Sequence, residues 1–227
     1  MAQHLQPYPS IAVRITTSSL ILDLSQQTPF TISLTFTLNH THPITFAARL
    51  ATLFDGNLLR AGGLTFTNTA TGEPVQRNSR NLHYESLSSN DNDEDATPSE
   101  QTKDRFVTLH PGQEHILHAT LQPILSNPIF PTQGLTSQEI VAKQEALPKT
   151  WKWYNVAGMQ DREVYEVGIS EGAGIRVWMQ GSVEGLVEMR RIGLTPEARR
   201  GVVRFVVVEP TRFEMRRPDR DGSLDWP

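Results

Sequence analysis

The sequence predicts an all-β protein, a β-sandwich of about ten strands. Three observations carry that prediction. The stretch Phe30–Leu38 alternates without a break: Phe30, Ile32, Leu34, Phe36 and Leu38 fall on one side and Thr31, Ser33, Thr35 and Thr37 on the other. A period of two is a strand with one buried and one wetter face. Turn residues recur roughly every 8–12 positions wherever the pattern is regular. The runs between them are rich in the β-branched and aromatic residues that suit a pleated surface.

Taken in order, residues 1–10 read as a loose arm. Ile11–Ile15 and Ser19–Leu24 read as the first strands, and the polar Ser25–Pro29 separates them from Phe30–Leu38. Asn39–Pro43 is a turn, Asn leading and Pro closing, and Ile44–Leu50 resumes as a strand, so the two segments are expected to form a hairpin. Asp55-Gly56 marks the next turn. Gly63–Thr67 is a short alternating strand, and Asn68–Pro74 is a tight loop returning toward Val75.

Residues 78–104 change character. Asn, Ser, Asp and Glu dominate, and Asn90–Asp95 is an acidic run. Such a segment buries too little apolar surface to offset its ordering entropy, so it reads as a disordered insertion within a single domain of residues 1–215. Strand patterning resumes at Arg105–Leu109, and the Pro111-Gly112 pair predicts a type II turn into Glu114–Leu121. Thr136 and Glu139 have capping-box spacing; Ile140, Val141, Gln144 and Leu147 then share a helical face that Pro148 ends.

In the last third, Glu163–Ile169 and Ile175–Met179 read as strands around a hairpin turn at Glu171–Gly174. Ser182–Ile192 fits strand or helix. Thr195 as N-cap with Pro196 at the first helical position predicts a helical turn to Arg200. Val202–Val208 is the most apolar strand and is expected in the core. Phe213–Met215 is a short segment, and 216–227 reads as a loose charged tail.

Three pieces in order carry a resemblance: Leu38 and Asn39 running into His40–Phe46, then Gly63–Val75, then Phe106–Glu114. The chain resembles the immunoglobulin-like β-sandwich of fungal hypothetical proteins. It is similar to the propeptide of deuterolysin-type metalloproteases and, more distantly, to bacterial intracellular proteinase inhibitors. The resemblance covers residues 30–122; the acidic insertion and the C-terminal third depart from it. It implies an immunoglobulin-like fold and a binding or inhibitory role. The protease's own zinc motif, His-Glu-x-x-His, is absent, so it does not imply protease activity.

Composition narrows function further. The chain has 227 residues, a formal net charge of −4 and no cysteine. The charge gives no global electrostatic case for nucleic acid, and no apolar run reaches the roughly 18 residues that span a bilayer. Without cysteine there is no disulfide, thiolate metal site or cysteine nucleophile. Together with an N-terminus lacking a signal-peptide pattern, this predicts an intracellular, cytoplasmic protein.

The candidate chemistry is sparse. His40 and His42 are two apart in a turn, and His110, His115 and His118 surround a second predicted hairpin, with His115 and His118 alternating to opposite faces. Asp91, Asp93 and Asp95 start like a calcium loop, but Ala96 stands where glycine is needed and Thr102 where glutamate is needed. No metal site and no cofactor are expected. The many arginines of the last third are offset by neighbouring glutamates, which reads as a paired, solvated face. The aromatic residues are the better lead. Trp151, Trp153 and Tyr154 follow a proline-rich connection, and Trp178 with Arg176 two residues away is expected on the face opposite Ile175. These five are the candidate ligand- or partner-binding residues. The function expected is a non-enzymatic binding module for a protein partner or a small apolar ligand. The rival is a cofactor-free isomerase, cyclase or hydrolase with an apolar cavity near Trp151, Trp153 and Trp178 and a carboxylate or His as acid/base.

Overall fold

A computed structural model describes residues 8–56, 58–59, 63–76, 97–126 and 130–218. It is an all-β sandwich with two short helices among these residues. The strands are Ser10–Thr17 (β1), Ile21–Asp23 (β2), Phe30–Asn39 (β3), Ile44–Ala47 (β4), Leu64–Asn68 (β5), Phe106–Leu109 (β6) and Glu114–Leu121 (β7). They continue with Pro123–Ser126 (β8), Thr150–Trp153 (β9), Val164–Ile169 (β10), Gly174–Gln180 (β11), Ala198–Glu209 (β12) and Thr211–Arg216 (β13). The helices are Ser137–Ala146 (α1) and Val183–Arg191 (α2).

The large sheet has seven strands in the order β6-β4-β11-β12-β1-β3-β7, and the small sheet four in the order β2-β13-β10-β5. β8 and β9 form a separate ribbon. The alternation of β3 is the backbone of the core: Phe30, Ile32, Leu34, Phe36 and Leu38 are all buried. β1 lies antiparallel beside it, Val13 opposite Phe36 and Ile15 opposite Leu34. The small sheet closes over this face, with the Phe213 ring 5.0 Å from Phe30 and 5.9 Å from Phe66.

The large sheet cannot be flat. β6 and β7 are its two edges, six strand spacings apart, which is about 29 Å in a plane. The chain from Leu109 to Glu114 reaches at most ~18 Å. The sheet therefore curls toward a barrel, and its two ends share a filling. Phe54 does this, its ring 4.9 Å from Phe36 on β3 and 4.9 Å from Phe46 on β4.

That curl overturns the predicted hairpins. β3 pairs with β1 and β7, whereas β4 pairs with β6 and β11. The turns at Asn39–Pro43 and His110–Gly112 therefore cross between two walls of the curled sheet. The Pro-Gly turn itself forms, with Gly112 at φ +70° and the Gln113 N–H donating to the His110 carbonyl at 3.2 Å. Glu171–Gly174 is likewise a crossing, since β10 belongs to the small sheet and β11 to the large one. Turn chemistry is local and is the same whether the strands it joins pair or diverge.

Three further differences have tertiary causes. Residues 198–200 are not helical, because pairing of Ala198 with Met179 and Arg199 with Trp178 extends β12 backward. β12 is only half in the core: Val203 is fully buried, while Val202, Val206 and Val208 on its other face stay about half exposed. Ser182–Ile192 resolves as α2, whose Leu186 is buried in a satellite cluster with Ala47, Phe106 and Met179. The capping box of α1 is present, Thr136 Oγ1 accepting from the Glu139 N–H, yet α1 buries no residue.

Part of the expected insertion is ordered. Pro98 is buried, Ser99 and Thr102 bond to each other, and Arg190 Nη1 donates to Thr97 Oγ1 at 3.2 Å and to the Pro98 carbonyl at 3.4 Å. The rest of that insertion, including the acidic run, lies outside the described residues, as does the tail beyond Pro218. Among the described residues no helix is long and apolar enough to cross a membrane.

Candidate functional site

The five residues singled out in the sequence are divided between two places. Trp178 lies on β11, four strands from β7 in the large sheet, which is about 19 Å along the sheet. Trp151, Trp153 and Tyr154 lie on and just after β9, in the ribbon that follows β7. Trp153 is buried and its Nε1–H donates to the Leu24 carbonyl at 3.2 Å, so it anchors the ribbon against the end of β2. Trp151 and Tyr154 remain 40 % and 49 % exposed, with the Tyr154 hydroxyl 3.1 Å from Ser126 Oγ on the facing strand.

Trp178 does not stand out from the sheet as strict alternation requires. The pairing of β11 with β12 slips between Ile175 and Val177. This irregularity lets Ile175 and Trp178, three apart, both enter the main core, while Arg176 stays exposed. Trp178 is 1 % exposed. Tyr8 and His40 meet its ring edge-on at 6.3 and 6.2 Å, and the Arg199 guanidinium lies over it at 5.2 Å. Tyr8 is held by its hydroxyl, which donates to the Arg200 carbonyl at 3.1 Å. It can sit there because residue 201 is glycine: a Cβ would fall 1.5 Å from the Tyr8 oxygen. Together they cover the Trp178 ring.

The histidines do not converge either. His40 and His42 share the β3–β4 turn, where His40 Nδ1 lies 3.0 Å from the His42 carbonyl. His115 faces inward and His118 outward, as their spacing predicts. Of the C-terminal arginines, Arg191 pairs with Glu188, Arg212 with Glu166 and Arg216 with Glu214, while Arg199 lies over the Trp178 ring and Arg190 donates to Thr97. A groove of about 690 Å³ near the end of β13 is lined by three carboxylates, Asp23, Asp161 and Glu214, and three guanidiniums, Arg162, Arg216 and Arg217. Their charges cancel, and hydrogen bonds from Ser25 hold Asp23 below the usual carboxylate range.

What the sequence did not single out is the free edge of β7. Residues 114–121 pair with β3 in eight consecutive steps without a slip, from Glu114 opposite Thr37 to Leu121 opposite Phe30. On the other side no described residue pairs with this strand or bonds to its backbone. Of the usual guards of an edge, Lys, Pro and bulges are missing from it, while the charged Glu114 and the inward-facing His115 are present. The opposite edge, β6, is flanked by α2, whose first N–H, at Val183, donates to Thr108 Oγ1.

The two faces of β7 differ. His115, Leu117, Ala119 and Leu121 point to the core, and Glu114, Ile116, His118 and Thr120 point out, with Ile116 half exposed. Glu114 Oε1 accepts from Arg14 Nη2 at 3.1 Å and His118 Nδ1 lies 2.9 Å from Ser33 Oγ, so both polar residues are steadied by the strands behind them. Beside residues 117–120 a cavity of about 520 Å³ is walled by Leu53, Phe54, Leu58 and Leu59, with Asn155 at its rim. His115 packs against Phe54 at 5.5 Å and Phe36 at 6.4 Å, and burial pushes its imidazole below the ordinary value near 6.5. Alternation at 114–121 was visible in the sequence; its place at the edge of the sheet was not.

Comparison with protein-family models, with curated proteins and with solved structures finds no match for this chain. The fold and this edge are therefore the basis for a functional reading.

Proposed function

We propose that the protein is a non-enzymatic binding module that recognises a protein partner by adding an extended strand to β7. One observation carries this reading: among the described residues, β7 is an eight-residue, regular strand with one edge unpaired, in a sheet whose other edge is flanked by a helix. An edge presents a row of main-chain donors and acceptors, and an incoming strand satisfies them while alternate side chains set specificity. The cavity beside residues 117–120, lined by leucines and Phe54 together with His118, Thr120 and Asn155, receives one inward side chain of that strand. A protein partner fits better than a small ligand, because the free groups are main-chain and run in a line. Trp151 and Tyr154, exposed on the β8–β9 ribbon, extend the contact surface. The reading keeps the immunoglobulin-like description of the sandwich and an intracellular, cytoplasmic setting, which the cysteine-free sequence supports.

The enzymatic alternative draws no comparable support. A general acid at neutral pH needs a carboxylate whose proton is held more tightly than usual. Among the described residues, the displaced carboxylates Asp23, Glu139 and Glu188 are all held below their ordinary range by hydrogen bonds at the surface.

The test is selection of short random peptides on the immobilised protein, followed by amide hydrogen exchange. Selected peptides are expected to slow exchange at residues 114–121. Protection confined to other strands, or no binders, would remove β7 as the site.

A further inference from the structure

We infer that the strand added at β7 is β7 of a second copy of this chain, in an antiparallel pair about a two-fold axis at Ile116. This deepens the strand-addition reading and rests on it. The outward face of β7 is complementary to itself. When an edge strand pairs antiparallel with its own copy, directly opposite residues share a face and their numbers add to a constant. Centring the pair on Ile116 sets Ile116 against Ile116, Glu114 against His118 of the second copy, and His118 against Glu114 of the second copy. The half-exposed isoleucine is then covered by its counterpart. On each side a carboxylate faces an imidazole rather than another carboxylate. Of the registers that oppose outward-facing residues, only this one makes both pairs: centring on Glu114 or His118 places like residues face to face, and centring on His115 or Leu117 sets Ile116 against Glu114 or His118. Cross-strand pairs of opposite character stabilise a sheet, and like charges directly opposite destabilise it.

The free valences of the two polar side chains agree with this. Arg14 occupies Oε1 of Glu114, leaving Oε2. Ser33 sits at Nδ1 of His118, leaving Nε2. In the tautomer with the ring proton on Nε2, the Ser33 hydroxyl donates to Nδ1 and the Nε2–H donates to the carboxylate across the edge. On the inner face, Gln113 of the second copy falls opposite Ala119, at the cavity whose rim carries Asn155, an amide partner for it. An interface built on one strand is at the small end of protein contacts, so the dimer is weak and concentration-dependent.

The experiment is sedimentation equilibrium of the full chain over a range of concentrations, with circular dichroism to verify folding. Wild type is expected to shift from monomer to dimer as concentration rises. His118→Glu sets glutamates against each other at two places and should weaken dimerisation by at least about tenfold, with unchanged folding. The double variant Glu114→His/His118→Glu restores both pairs in reverse and should recover the dimer. A wild type that stays monomeric throughout, or a His118→Glu chain that dimerises as well as wild type, overturns the inference; so does a double variant that folds but stays monomeric. A synthetic peptide of residues 112–122 separates the two levels. If wild type is monomeric but the peptide slows exchange at 114–121, strand addition stands and self-pairing falls. If neither occurs, self-pairing falls, and strand addition is decided by the selected random peptides.

Discussion

His115 shows how one side chain reports on the packing behind the edge. It faces the core between Phe36 and Phe54, and burial lowers its proton affinity below the ordinary value near 6.5. The unfolded chain therefore takes up a proton at this site before the folded chain does. Stability from the neutral, packed ring is fully present above about pH 6.5 and is lost as the pH falls through the folded-state value. Thermal melts should show Tm falling in that window, and His115→Phe should flatten the fall. Asp23, Glu139 and Glu188 act at lower pH, since their ordinary values are 3.8 or 4.5 and their folded values lie below these. A wild-type Tm that is level from neutral pH to about pH 5 would remove this role for His115. The partner ring is what the sequence could not supply: Phe54 lies in a loop more than sixty positions away in a stretch with no strand pattern.

At the scale of elements, the two helices make a controlled comparison. Both have a hydroxyl N-cap, Thr136 on α1 and Ser182 on α2. Only α2 buries a side chain, Leu186, against β4, β6 and β11. Removing either cap costs its helix about 0.5–2 kcal/mol. For α2 that cost passes to the whole domain, so Ser182→Ala should lower Tm by several degrees at about 2–4 °C per kcal/mol for a chain of this size. Thr136→Ala should leave Tm in place and speed amide exchange only within residues 137–146. Equal Tm losses in the two variants would mean that α1 is also coupled to the core. The capping box of α1 was legible because it is a four-residue signal. α2 was ambiguous because its apolar residues suit either period, and the cluster beneath it settles the matter.

On the scale of the whole molecule, the insertion shows where composition misleads. Residues 78–104 are dominated by polar side chains, but 97–102 carry the buried Pro98 and the acceptors for Arg190. Deleting residues 97–102 should lower Tm by several degrees, whereas deleting 86–96, which the sequence marks as unable to build a core, should change it by less than about two degrees. Differential scanning calorimetry of the two deletions decides, and equal losses would count against the division at residue 97. The sequence by itself determined where most strands lie, because a period of two is written into neighbouring residues. It also determined the Pro111-Gly112 turn, the Asn68–Pro74 loop and the α1 cap, each held by contacts within a few positions. Only the tertiary structure decided which strands pair, because pairing joins residues far apart in sequence and the same turn serves a hairpin or a crossing. It carried Trp178 into the core through one slip in register, and divided the five aromatic-site candidates between β11 and the β8–β9 ribbon. It also left β7 at an edge, a position defined by the absence of a neighbour, which no local pattern records.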